Sequence, residues 1–427
     1  MTSVAISPER FAALRDGIHR RSFAPAVDAR RVGAEVELIA YDAATNVPLP
    51  LLDARRGLIR LLRRHAPALG WTERQSYSPV PGFDIGGEAI VSFEPGGQIE
   101  ISSAACPTAS ALVALLRDSV APLRSALAAD GVRLDSVGID PFNDAPSIPQ
   151  QLPLERYERM TEYFERIGPF GIRMMRQTAA IQVSLDRGPH PATRWRLLND
   201  LAPYLTAIFA NSTHYLGVDT GHRSYRANCW RMLDPTRTGV ALPHEDPAAA
   251  YTRFALGAND MMRVDADGTY RSFGEWLAAD SGNELWENHL TTLFPEVRPR
   301  GHYEVRSCDA IDPDWYAVPI VILCGLAYDA RAAAEAALLA SESRALLRTA
   351  GERGLSDTAI ARTARDLFQL ALDGARRLGD DYAGSAEIDV AQQFYDQFTA
   401  RDRTPADDVP PAYLARMRTV RSRSSRV

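Results

Sequence analysis

Three short segments of this 427-residue chain carry polar side chains two residues apart between apolar ones: Glu35 and Glu37, Gln98 and Glu100, and Glu304 and Arg306. In an extended strand this spacing turns both polar groups to one face, while Ala34, Val36 and Leu38, or Ile99 and Ile101, turn to the other. One such pair describes any half-exposed strand with a solvated side. Three pairs on neighbouring strands would form a floor of carboxylates that repel one another unless cations lie between them. Hard oxygen donors suit Mg²⁺, which keeps some of its water and also binds substrate phosphates. The pattern predicts a nucleotide–metal site without a P-loop. Glu94, just before the turn Pro95-Gly96-Gly97, is a further candidate acid.

Arginine supplies the opposite charge. The chain contains no lysine, so all 48 of its Lys-or-Arg positions are arginine. P-loop NTPases, kinases with a strand lysine and Schiff-base enzymes each need a lysine and are excluded in their usual forms. Arg223, Arg226 and Arg231 cluster within Gly221-His-Arg-Ser-Tyr-Arg-Ala-Asn-Cys-Trp-Arg, and Arg306 lies in phase with Glu304. Guanidinium groups grip carboxylates and phosphates bidentately and stay charged when desolvated. His214, His222 and His289 share no metal-ligand spacing, so structural or surface roles are expected for them, and Cys229 and Cys308 have no basic partner at a recognisable offset, so neither is expected to be a nucleophile.

A net charge of −6 and a pI near 5.8 provide no basic footprint for nucleic acid. Four cysteines without a C-x-x-C pair point to a reducing, cytoplasmic setting. The N-terminus lacks the apolar run of a signal peptide, and the longest apolar stretch, Tyr316 to Tyr328, is too short to span a bilayer.

The elements that must position these residues follow from hydrophobic periodicity. Strands are expected at Val32 to Ile39, Gln98 to Ser102, Val132 to Gly138, Ala179 to Leu185 and His302 to Arg306. Helices are expected near 8–30, 51–66, 108–129, 154–166, 194–210, 316–350, 356–378 and 386–400, with a Gly/Pro-laden connection at 79–97 and a long polar loop before His302. The arrangement is α+β, with a helical C-terminal third. Residues 1–418 are expected to form a single catalytic domain, and the basic, Ser-rich stretch 419–427 a flexible tail.

Several stretches resemble the plant-type glutamate–cysteine ligases and their bacterial relatives, including those of ergothioneine synthesis. These are Gly33-Ala-Glu-Val-Glu; Phe93-Glu-Pro-Gly-Gly-Gln-Ile-Glu-Ile-Ser; Met174-Met-Arg-Gln-Thr with Ile181-Gln-Val-Ser-Leu-Asp; Ala210-Asn-Ser; Asp234-Pro-Thr-Arg-Thr-Gly; and Trp286-Glu-Asn-His-Leu-Thr-Thr-Leu-Phe-Pro-Glu-Val-Arg. They occur in family order across about residues 31–330. The resemblance implies a curved, mainly antiparallel sheet like that of glutamine synthetase, holding ATP and Mg²⁺. It also implies a reaction, in which ATP phosphorylates the γ-carboxylate of glutamate and the amine of cysteine attacks the acyl phosphate, giving γ-glutamylcysteine. By the same resemblance Glu35, Glu37, Glu94, Glu100 and Glu304 look like the metal-binding acids, and Gln98 assists them. Arg226 and Arg306 fall where the family places arginines for the phosphoryl group or the glutamate carboxylate, and Gln182 lines the same site. Ser184 and Ser307-Cys308 depart from the family pattern and bear on the amine acceptor. The alternatives are a different amine acceptor or a guanidino-type phosphotransferase.

Overall fold

The computed structural model describes residues 6–75, 78–86, 89–240, 246–279 and 285–424. Its strands are β1 (Val32–Asp42), β2 (Thr72–Arg74), β3 (Gly82–Asp84), β4 (Ala89–Phe93), β5 (Ile99–Ser103), β6 (Val132–Asp135), β7 (Ile181–Asp186), β8 (His214–Tyr215), β9 (Val218–Asp219), β10 (Val297–Pro299) and β11 (His302–Val305). Among the described residues nine of them form one sheet, ordered β10-β11-β7-β1-β5-β4-β3-β2, with β6 joined to the far end of β1 and a separate β8–β9 hairpin. Every pairing between these strands is antiparallel. The chain is thus α+β with an antiparallel sheet, as expected.

β1 runs past Ile39 because Ile39 to Asp42 find a second partner in β6, opposite Asp135 to Val132. β3 and β4 fall in the segment read as a Gly/Pro-laden connection. Ala89, Val91 and Phe93 are buried while Ile90 and Ser92 are half-buried, an alternation hidden in the sequence by the surrounding glycines and prolines. Strand pairing to β5 decides the outcome there.

The helix Ala109–Ala129 begins where Thr108 Oγ1 accepts the Ala111 N–H at 3.1 Å, and it buries Leu112, Leu116, Val120, Leu123 and Leu127. The expected helix 8–30 stops at Phe23, because Pro25 holds Ala24 in extended backbone. The helix expected at 51–66 spans Leu58–Leu69, since Asp53 first draws the Arg55 and Arg56 N–H groups into a turn. The polar loop before His302 also holds short helices, at Tyr225–Leu233, Pro235–Thr238, Pro247–Gly257, Phe273–Ala279 and Trp286–Leu290. Helix Pro169–Gln177 was likewise not anticipated.

The expected helix 316–350 is three helices: Ala317–Tyr328, Ala330–Leu339 and Leu347–Arg353. Asp329 takes extended backbone and accepts the Ala332 N–H at 2.8 Å, which ends one helix and caps the next at a bend of 97°. Among the described residues no single helix is long and apolar enough to cross a membrane. Ala317–Tyr328 is buried along its whole length, between the sheet and the helices Thr358–Leu378 and Ser385–Gln397. A helix Pro411–Ser424 extends into the segment expected as a tail, and residues 425–427 lie outside the described residues.

Helices Ala317–Tyr328 and Thr358–Leu378 meet at Gly325 and Gly374, where a Cβ on Gly325 would lie 2.1 Å from the Ala371 carbonyl oxygen. Gly325→Ala is expected to cost about 1–3 kcal/mol through overpacking against backbone that cannot yield. A urea midpoint equal to wild type would show that the two helices are not held this closely.

Candidate active site

The antiparallel register assembles the polar pairs on one face. Across the sheet, Ser102, Glu35 and Gln182 share a level, with Glu35 opposite both neighbours. One level along, Ser92, Glu100 and Glu37 are aligned. On the β7 side, Ser184, Glu304 and Arg298 form a further row. Each strand contributes alternate residues, so the polar face and the packed apolar face are separated by the pleat alone.

Glu94 and Gln98 close the β4–β5 hairpin, the Glu94 N–H donating to Gln98 O at 2.9 Å and the Gly97 N–H to Glu94 O at 2.8 Å. Gly97 has φ +90°, and a Cβ on Gly96 would sit 2.1 Å from Arg176 O. The two glycines let this turn lie against the helix Pro169–Gln177.

A cavity of about 310 Å³ opens over this face, and it is lined by Glu35, Glu37, Glu94, Gln98, Glu100, Gln182, Arg226 and Arg306. All the site residues expected from the sequence are thus brought to one cavity except Glu304, which is buried against three of its lining arginines. Carboxylate oxygens of Glu37, Glu94 and Glu100 fall within 4.8 Å of one another. Full charges at that separation would repel by roughly 3–4 kcal/mol at an effective dielectric of about 20. Burial, reinforced by neighbouring carboxylates, pushes Glu37 up to about 8 and Glu94 and Glu100 up to about 7. Glu35 is raised by burial and by Glu100 and Glu304.

The donors around the acids are specific. Gln182 Nε2 donates to Glu37 Oε1 and the Ala180 N–H to Glu37 Oε2, both at 2.9 Å. Ser92 and Ser102 hydroxyls donate to Glu100 Oε1 at 2.8 and 2.7 Å. Gln98 Nε2 is tied to Thr178 O at 2.8 Å. The Oε1 atoms of Gln98 and Gln182 are buried without a hydrogen-bond partner among the described residues. Three clustered carboxylates and two free amide oxygens fit a hard cation.

Glu304 has a different environment. It is 1% exposed and faces Arg306 at 3.0 Å, Arg298 at 3.3 Å and Arg300 at 3.7 Å. Burial alone would raise its pKa, but these guanidinium groups outweigh it and hold the carboxyl down at about 2. Arg298 and Arg300 also line the cavity and were not singled out in the sequence. Their signal was available: Arg298 and Arg300 alternate like Glu304 and Arg306, across a turn at Gly301 with φ +91°.

Of the clustered arginines only Arg226 reaches the cavity. Arg223 pairs with Asp407 at 3.1 Å, and Arg231 donates to Leu347 O at 3.0 Å. In helix Tyr225–Leu233, residues 226 and 230 share a face, whereas 223 precedes the helix and 231 is turned away. Arg226 is held by Arg306 O at 2.9 Å and lies 3.7 Å from buried Asp309, which also accepts from the hydroxyls of Ser212 and Ser224. Met160, Met174, Met175, Phe294 and Trp230 supply apolar side chains to the lining of the same cavity. Cys308 is buried in the main core, and neither it nor Ser184 lines the cavity. A larger cavity of about 470 Å³, near Trp315 and Tyr413, contains none of the expected site residues.

Removing the Glu304 carboxylate would leave three guanidinium groups crowded without their counter-charge. Glu304→Gln is expected to cost about 3–5 kcal/mol in urea unfolding at neutral pH. Because the folded pKa is depressed, the contribution is present above the ordinary value of 4.5 and is lost as pH falls towards 2, so the gap between variant and wild type should close over that window. A gap independent of pH would contradict the ion-pair origin.

The model of "Glutamate-cysteine ligase family 2 (GCS2)" matches residues 31–395. The chain is 32% identical over 410 residues to glutamate–cysteine ligase EgtA of Mycobacterium tuberculosis (strain ATCC 25618 / H37Rv), covering 90% of this chain and 86% of that one. It is 30% identical over 403 residues to EgtA of Mycolicibacterium smegmatis, covering 90% and 88%. Against the chloroplastic glutamate–cysteine ligase of Arabidopsis thaliana it is 29% identical over 387 residues, covering 84% and 72%. A crystal structure of glutamate–cysteine ligase from Francisella tularensis in complex with AMP aligns with a TM-score of 0.48 and 12% identity, covering 94% of each chain. By the extent of the family match, the chain belongs to glutamate–cysteine ligase family 2.

Proposed function

We propose that this protein is an ATP- and Mg²⁺-dependent ligase joining the γ-carboxylate of L-glutamate to the amine of L-cysteine. The observation that carries this reading is the division of one cavity into a carboxylate end, Glu37, Glu94 and Glu100, and a guanidinium end, Arg226, Arg298, Arg300 and Arg306. Family membership supplies the reaction class.

Glu37, Glu94 and Glu100, with Glu35 beside them, would hold Mg²⁺, and Gln98 and Gln182 would offer amide oxygens. Bound there, the metal supplies charge neutralisation for nucleotide phosphates. Arg226 and Arg306 would draw the transferred phosphoryl oxygens and the glutamate carboxylate together, a positioning role that requires no nucleophilic side chain. The glutamate γ-carboxylate oxygen bonds to the γ-phosphorus of ATP as the bond to ADP breaks. The neutral amine of cysteine then attacks the acyl carbon, the bond from that carbon to the phosphate oxygen breaks, and the proton lost from nitrogen leaves with the phosphate. Glu304, expected among the metal-binding acids, would serve by anchoring the arginines. The position of Ser184 and Cys308 outside the cavity supports cysteine as the acceptor, because neither departure from the family pattern alters the wall.

Incubation with ATP, Mg²⁺, glutamate and a panel of amines should yield ADP and γ-glutamylcysteine, with cysteine preferred. A panel in which another amine reacts faster would overturn the acceptor assignment, and absence of any ADP would overturn the reading. A second outcome follows from the raised carboxyl groups. In the absence of cations the folded state retains protons that the unfolded chain releases near 4.5, so these acids make the protein less stable as pH rises towards 8. Mg²⁺ binding requires the deprotonated form, so the Tm increase caused by Mg²⁺ should be larger at pH 8.5 than at pH 6. Equal increases at both values would place Mg²⁺ elsewhere.

A further inference from the structure

Two arginines of the cavity share a single aromatic partner. The guanidinium carbon of Arg226 stands 4.9 Å, and that of Arg306 5.3 Å, from the ring centroid of Trp230. Both cations are almost fully buried, at 3% and 8% exposure, where their mutual repulsion is poorly screened. The electron-rich face of an indole is the strongest aromatic acceptor for such groups, and its attraction grows as water is removed. Trp230 itself is fixed, its Nε1–H donating to Phe294 O at 3.0 Å.

Besides the bond from Arg226 to Arg306 O at 2.9 Å, each arginine has a carboxylate neighbour. Arg306 is tied to Glu304 at 3.0 Å, and Arg226 faces Asp309 at 3.7 Å. The Nε atoms of both arginines are buried without a protein partner among the described residues. Each guanidinium group thus has a carboxylate neighbour, a common ring and a buried Nε–H without a protein partner among the described residues. A shared ring would keep both cations at the cavity, where one anion could meet them, and would oppose their collapse onto the neighbouring Glu35 or Glu37.

We infer that Trp230 is a positioning residue, which sets the separation and aim of Arg226 and Arg306 for the transferred phosphoryl group. The inference rests on the ligase reading above. Its mark is dependence on the ring's π-face rather than on the volume of the side chain. Trp230→Phe retains an aromatic face of lower charge density, Trp230→Leu retains apolar bulk without one, and Trp230→Met provides a second non-aromatic side chain of similar reach.

Steady-state ADP release by the full-length protein, with ATP, Mg²⁺, glutamate and cysteine, separates the outcomes. The leucine and methionine variants should lose roughly 10- to 100-fold in kcat, as expected for two desolvated cation–π contacts. The phenylalanine variant should fall between them and wild type, and KM for cysteine should stay within about twofold throughout. Thermal melts of the same preparations supply the structural control. Equal kcat losses in Phe, Leu and Met variants, or losses that follow Tm rather than aromaticity, would overturn the assignment, as would a leucine or methionine variant within twofold of wild type. If neither non-aromatic variant folds, the phenylalanine variant decides: a several-fold lower kcat at wild-type Tm is expected, and an unchanged kcat refutes the role. Failure of the wild-type protein to release ADP would instead refute the ligase reading.

Discussion

Bringing Glu35, Glu37, Glu94 and Glu100 onto one face, three of them with oxygens within 4.8 Å, opposes folding unless protons or cations neutralise the cluster. Much of the surrounding structure can be understood as the scaffold for that opposition. The apolar sides of the same strands supply the counterweight: Val36, Leu38, Ile99, Ile101 and Val183 are fully buried beneath the acids. The Ser92, Ser102 and Gln182 donors hold individual carboxylates in place, which keeps them clustered instead of splayed towards water.

At the other end of the face the sign of the charge is reversed. Glu304 is there neutralised by arginines and stays ionised, while acids two and three strands away retain protons near neutrality. The contrast is created by neighbours, since all are glutamates on alternating strand positions. It gives the cavity a strong internal polarity across four strands, with carboxyl groups at one end and guanidinium groups at the other.

The sheet was legible where alternation was uninterrupted. β1, β5, β7 and β11 were expected close to their observed bounds, and they carry most of the acids. Elements were missed where local cues conflicted with tertiary pairing. β4 lies among glycines and prolines, and the short helices between 225 and 290 lack the length for a clear period. The break at Asp329 was hidden because apolar residues continue on both sides, although an N-capping aspartate was present. In the site, Arg226 was expected for its neighbourhood, but the same cue also marked Arg223 and Arg231, which the helix directs elsewhere.

The sequence by itself determined the kinds of group that could meet in a site: paired acids on strand spacing, arginine as the sole strong cation, no lysine-dependent chemistry, and motifs in family order. Those features depend on residue type and on the two-residue period of a strand, both of which are local. Only the tertiary structure decided which groups act on one another. Strand order inserts β7 between β1 and β11, so Glu304 meets three arginines instead of joining the carboxylate trio. The packing of helix Tyr225–Leu233 brings Trp230 under Arg306, a partner far away in the chain. Electrostatic interactions depend on distance and desolvation, and neither is set until the sheet has closed its register and the helices have covered it.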